Sequence, residues 1–179
     1  MSIVARRILF AALSCAALVP GAARAHDWDV TGRVGIGLPV GDLGDGYDPG
    51  FSATLSTTCW FGDRYGLRLG GAGNFLGGAT ALIPNGSFWH YGVGPELALL
   101  DPAQRFKLNV HAGIGATTLQ PDGGSSSTDF TVNAGATLEY KVNAAWSVIG
   151  GPSFYIIAAD KTGYILPISG GFRYLFGTR

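Results

Sequence analysis

Residues 128–141 read Thr128-Asp-Phe-Thr-Val-Asn-Ala-Gly-Ala-Thr-Leu-Glu-Tyr-Lys141. Phe130, Val132, Ala134, Ala136, Leu138 and Tyr140 fall on alternate positions, with Thr131, Asn133, Gly135, Thr137 and Glu139 between them. A period of two puts the first set on one face of an extended strand and the second on the other. The stretch is too regular for a loop and has the wrong period for a helix. It is read as a β-strand with one apolar and one small-polar face.

The same period recurs along most of the chain. It predicts eight strands, at 28–38, 50–61, 65–76, 88–100, 105–119, 128–141, 146–157 and 164–176. In the first, Trp28, Val30, Val34, Ile36 and Leu38 oppose Asp29, Thr31, Arg33, Gly35 and Gly37. In the fifth, Phe106, Leu108, Val110, Ala112 and Ile114 oppose Lys107, Asn109, His111, Gly113 and Gly115. The last is less clean, because Ile165, Pro167 and Leu175 stand on the face that also carries Ser169, Gly171 and Arg173. The intervening segments alternate between short turns (62–64, 101–104, 142–145) and longer Gly-, Asp- and Ser-rich loops (39–49, 77–87, 120–127, 158–163). Short turns at one end and long loops at the other are the layout of an up-and-down transmembrane barrel.

Composition limits what else the chain can be. Of 179 residues 29 are glycine and only 13% are charged, while 47% are hydrophobic, so a disordered chain is excluded. The formal charge of zero gives no field for nucleic acid. Arg6 and Arg7, the apolar run 8–19 and Ala23-Arg24-Ala25 have the form of a secretory signal peptide cleaved after Ala25. The expected organisation is a signal peptide over 1–25 and one barrel domain over 26–179, net acidic after cleavage and with Cys59 as its one cysteine. The expected fold class is all-β, an eight-stranded antiparallel up-and-down transmembrane β-barrel.

Alternation alone does not say which face is outside. A soluble barrel would hold its apolar set inside. Here the polar set is Gly, Ser, Thr and Asn with few charges, which suits a crowded lumen. The apolar set is too large to fit inside eight strands, whose bore is just wide enough for side chains. Aromatics also gather at the strand ends, as they do at the two lipid–water interfaces. The expected girdle is Trp28, Phe61, Tyr65, Phe106, Tyr140, Trp146, Tyr174 and Phe176 at the short-turn end, with Trp89, Tyr91, Phe130 and Tyr164 near the other.

With the signal peptide, Val34-Gly-Ile-Gly-Leu-Pro-Val-Gly-Asp42 and Phe172-Arg-Tyr-Leu-Phe176, the chain resembles the small bacterial outer-membrane β-barrel family, the OmpA/OmpX-like and porin-like barrels. The resemblance implies the envelope of a Gram-negative bacterium, with outer-membrane lipid as surroundings. It also implies the barrel-insertion machinery as a partner, reading the C-terminal strand. The sequence departs from the pattern in that Gly177-Thr178-Arg179 follow Phe176. The length leaves no room for a peptidoglycan-binding domain, so wall anchoring is not implied.

The inward set carries Arg33, Arg68, Lys107 and Arg173 with Glu96 and Glu139, and His111 just above them. Unpaired charges are costly in a narrow lumen, so a salt-bridge network that fills a polar bore is expected. Asp42, Asp45 and Asp48 are spaced by three and could bind a hard cation, but the spacing misses the EF-hand pattern and they are read as turn formers, with no metal or cofactor assigned. His26, His90 and His111 form no copper brace, since His111 falls inside and His90 toward the loop end. Ser87 and His90 differ in parity, so no catalytic residues are assigned. The expected role is structural or surface-interactive, through an extracellular partner at the loops, with a narrow passage at most. The alternatives are a small anion-preferring pore, a lipid-active outer-membrane enzyme and a soluble periplasmic ligand-binding barrel.

Overall fold

The computed structural model describes residues 27–80, 82–100, 105–159 and 162–176. The expected signal peptide lies outside the described residues. Eight strands, β1 (Asp27–Val40), β2 (Tyr47–Phe61), β3 (Tyr65–Gly78), β4 (Gly86–Ala98), β5 (Phe106–Pro121), β6 (Ser127–Lys141), β7 (Trp146–Ala158) and β8 (Gly163–Phe176), pair antiparallel in chain order. β1 closes on β8 from Trp28↔Phe176 to Val40↔Tyr164, so the sheet has no edge. Closure satisfies the wall's backbone hydrogen bonds internally, the condition for lying in hydrocarbon.

Burial settles which face is outside. Leu55, Val34, Ile36, Ile114, Leu138 and Phe172 are each more than half exposed, whereas Asp29, Thr58 and Thr131 are fully buried. That is the inverse of a soluble barrel. In water the apolar belt would be a patch far beyond what a monomer tolerates. The chain is a transmembrane barrel. The belt height agrees: Phe130 and Tyr140 stand ten residues apart on β6, which at ~3.3 Å per residue and ~40° tilt is about 25 Å, the height of a barrel's apolar band.

The strands run further than the sequence predicts at the long-loop end. Pro39, Pro49 and Pro121 read as loop residues, yet all three lie within strands. Pro39 still sits opposite Ile165. Pro49 sits in a register shift between Asp48 and Phe51, where a bulge excuses its missing N–H. At the other end β4 stops at Ala98, two residues short of the expected Leu100. The first long loop holds a single helical turn, α1 (Asp42–Gly46), entered through Gly41 at φ 63. Glycine is also what lets β1 and β8 approach closely. A Cβ on Gly35 would strike the Ile168 carbonyl, and one on Gly171 the Gly32 carbonyl.

The bore is not polar throughout, which corrects the expectation. Toward the long loops Ala72, Leu76, Phe88, Tyr155, Ile157 and Ile165 pack as one buried cluster inside the barrel. Leu43 of α1, Tyr47 and Leu119 pack onto it, and the Tyr47 and Phe88 rings meet edge to face at 5.3 Å. An apolar stopper needs no hydrogen-bond partners, whereas each polar group buried there would need one. The mixed faces of β8 have their cause here: Ile165 and Pro167 point in because they belong to the stopper end.

Candidate functional site

Below the stopper lies a charged layer, centred on Arg173 of β8. Alternation turns Asp29 (β1), Glu96 (β4), Glu139 (β6) and Arg173 to the same interior, and all four are buried. Arg173 Nη2 meets Glu96 Oε1 at 2.5 Å and Nη1 meets Glu139 Oε2 at 2.8 Å. Its Nε lies 3.5 Å from Asp29 Oδ2 and donates to Thr31 Oγ1 at 3.1 Å. One guanidinium therefore ties β8 to its neighbour β1 and to the non-adjacent strands β4 and β6.

The carboxylates are held on their other sides as well. Trp60 Nε1 donates to Asp29 Oδ2 at 2.6 Å, and the Arg173 guanidinium stands 5.8 Å from that indole ring. Thr58 Oγ1 donates to Glu96 Oε2 at 3.1 Å. Ser147 Oγ donates to Glu139 Oε1 at 2.8 Å, and Asn109 Nδ2 to its Oε2 at 2.9 Å. Charge-assisted bonds of this kind are about twice as strong as neutral ones. A buried ion cluster is tolerated only when its remaining lone pairs are filled in this way.

The other expected lumen residues take different places. Lys107 is buried opposite Glu139 in the β5–β6 ladder. Arg33 reaches a neutral partner, with Nη1 donating to Thr137 Oγ1 at 3.1 Å. Arg68 points toward a small cavity, and its Nη1 is buried with no hydrogen-bond partner. His111 is buried opposite Glu96 in the β4–β5 ladder. His90 lies inside too, six residues along β4 from Glu96 toward the long loops. Asn133 Nδ2 donates to His90 Nε2 at 3.1 Å, an arrangement that leaves Nδ1–H to donate to Thr117 Oγ1 at 3.2 Å.

Asp29, Trp60, His90 and Tyr155 also point into the lumen, although they fall outside the expected charge network. Parity identifies each: Asp29 shares a face with Arg33, Trp60 with Thr58, His90 with Glu96, and Tyr155 with Ser147. Ser87 and His90 stand on opposite faces of β4, so they make no nucleophile–base pair. Asp42 and Asp45 lie on α1 and Asp48 on β2. Among the described residues no three His, Cys, Asp or Glu side chains converge as a metal site would require.

On the outer face the aromatic residues meet around the rim. At the short-turn end Trp28 faces Phe176, Phe61 faces Tyr65, and Phe106 and Tyr140 pack at 4.9 Å. Trp146 packs on Tyr174 at 4.8 Å, and Tyr174 on Phe176 at 4.6 Å. Near the long loops Phe51, Phe75 and Trp89 form a second run, with Tyr91 and Phe130 exposed and Tyr164 stacked on Phe154 at 5.7 Å.

Apolar wall, aromatic rims and ion-paired bore define a small eight-stranded barrel of the outer-membrane type. No protein-family model matches the chain, and no curated protein sequence matches it. Among solved structures it is similar to Neisserial surface protein A, with a TM-score of 0.69 at 16% identity over 86% of this chain and 100% of that one. It is similar to the outer membrane protein OprG from Pseudomonas aeruginosa, with a TM-score of 0.63 at 14% identity over 87% and 98%. It is also similar to Ail, the attachment invasion locus protein of Yersinia pestis, with a TM-score of 0.51 at 17% identity over 84% and 99%. At these identities the likeness is one of fold.

Proposed function

We propose that this chain is a resident outer-membrane barrel whose lumen is sealed and whose function lies in its outward loops. The observation that carries the reading is the double closure of the bore. The Arg173 ion cluster fills one level and the apolar stopper under α1 fills another. A bore of eight strands has no width to spare for a permanent channel beside such contents. No catalytic chemistry is needed for this role.

The loop end supports a surface role through its charge. Asp42, Asp45, Asp48 and Asp122 are exposed there, and among the described residues no Lys or Arg accompanies them. Arg64 and Arg105 are exposed at the short-turn end. The loop face therefore suits a partner that brings cations or basic side chains. The surface names of Neisserial surface protein A and of Ail are consistent with such a role without assigning a partner.

The test has two arms. Outer-membrane fractions are run on SDS gels unheated and boiled. A folded closed barrel migrates differently in the two, because no edge is available to unravel. Recovery in the soluble periplasm with no shift contradicts the reading. Separately, Asp42→Asn, Asp45→Asn, Asp48→Asn and Asp122→Asn together are expected to reduce binding to a polycationic surface severalfold at low salt. Unchanged binding removes the loop role.

A further inference from the structure

Between the ion cluster and the stopper lies a cavity of about 30 Å³. Thr54, Arg68, His90, His111, Asn133 and Tyr155 line it. Its wall carries one full positive charge and no carboxylate. Arg68 Nη1 is buried there without a hydrogen-bond partner. We propose that this cavity is a binding site for a small monovalent anion, of which chloride is the natural occupant.

Charge balance at this depth points the same way. Among the described residues four cations, Arg33, Arg68, Lys107 and Arg173, face three buried carboxylates, Asp29, Glu96 and Glu139. The carboxylates are already engaged. Glu96, the one that acts most strongly on Arg68, has one oxygen on Arg173 and the other on Thr58. Arg33 offers no relief: it is itself a cation within electrostatic reach of Arg68, and its Nε also lacks a partner. A cation that must share carboxylates already bonded to Arg173 is disfavoured at membrane depth. An anion against Arg68 completes the set.

The size and donors of the site select the class. A volume of this order holds one or two water-sized bodies, so a halide fits and a sulfate or a carboxylic acid does not. The Tyr155 hydroxyl lies within electrostatic reach of both Arg68 and Arg33 and can donate to the same ion. The stopper lies above the site and the ion cluster below it. Held there, the ion acts as a structural counter-ion to Arg68.

The test uses the mature barrel refolded from urea into detergent in sodium bromide or sodium chloride, with sodium gluconate at equal ionic strength as the control. Anomalous diffraction from the bromide crystals is expected to give a peak within hydrogen-bond distance of Arg68 Nη1. The urea midpoint is expected to be higher in chloride than in gluconate, and Arg68→Gln is expected to abolish the difference. Should Arg68→Gln fail to refold, the bromide peak in the unaltered protein decides. A cavity holding water alone, or bromide only on the outer surface, overturns the proposal. So does an equal midpoint in the two salts.

Discussion

Replacing Arg173 by methionine tests the lumen at its centre. Methionine keeps much of the volume and removes the charge. Arg173→Met deletes contacts to Glu96 at 2.5 Å, Glu139 at 2.8 Å and Asp29 at 3.5 Å in one step. All three acids are buried, so they cannot turn to water. Removing one partner of a buried pair costs about 3–5 kcal/mol, because the remaining charge stays in low dielectric. Here three carboxylates are left, with Lys107 opposite Glu139 as partial relief. The expected loss is therefore at least about 3–5 kcal/mol, a fall of roughly a hundredfold or more in the folding equilibrium. Urea titration of the barrel in lipid vesicles, followed by tryptophan fluorescence and by unheated gel mobility, measures it. Adding Glu96→Gln and Glu139→Gln to Arg173→Met is expected to recover part of the loss, since neutral amides no longer repel. A loss below about 1 kcal/mol, the value of an exposed pair, would refute the reasoning. It would mean that water runs through the bore and solvates these groups.

The wall and the stopper give separate tests. Val34, midway along β1 on the outer face, is 57% exposed; Val34→Arg is expected to cost about 2–4 kcal/mol in vesicles, as for a cation near the midplane of a barrel wall. Leu82→Arg, in a loop and 94% exposed, is expected to change stability by less than about 0.5 kcal/mol; equal effects at the two positions contradict the membrane assignment. Phe88 is 2% exposed within the stopper, and Phe88→Ala is expected to cost about 3–5 kcal/mol in urea titrations, with neighbouring Tyr47 loosened.

Much of the fold is legible in the sequence because a barrel strand must alternate along its whole length. Residues 128–141, where every other side chain is apolar, could not pair in another register without turning lipid-facing groups inward. Strand ends at the long loops are less legible. Pro39 and Pro121 carry the local signal for a turn, but the neighbouring strand's ladder holds them extended. No local signal announces α1, a five-residue turn with two glycines, and packing of Leu43 onto the stopper accompanies it. Within the site, parity names the inward residues but not their partners. Lys107 and Glu139 face each other across one ladder. Arg173 meets Glu96 across the bore, a contact between residues 77 apart that depends on barrel closure. Trp60 is an aromatic at a strand end, where a rim residue is expected. Only its shared parity with Thr58 and the Asp29 carboxylate it serves explain why it lies inside.

The central claim is a barrel embedded in lipid with its bore closed twice, by ions and by an apolar stopper. Single-channel recording in planar bilayers, with the refolded barrel verified by its unheated gel mobility, tests it most directly. The account predicts a baseline without discrete openings in molar potassium chloride, for a sealed bore offers no hydrated path. Regular current steps from the unaltered protein, present at low voltage and retained across preparations, would contradict the sealed lumen and make the barrel a pore.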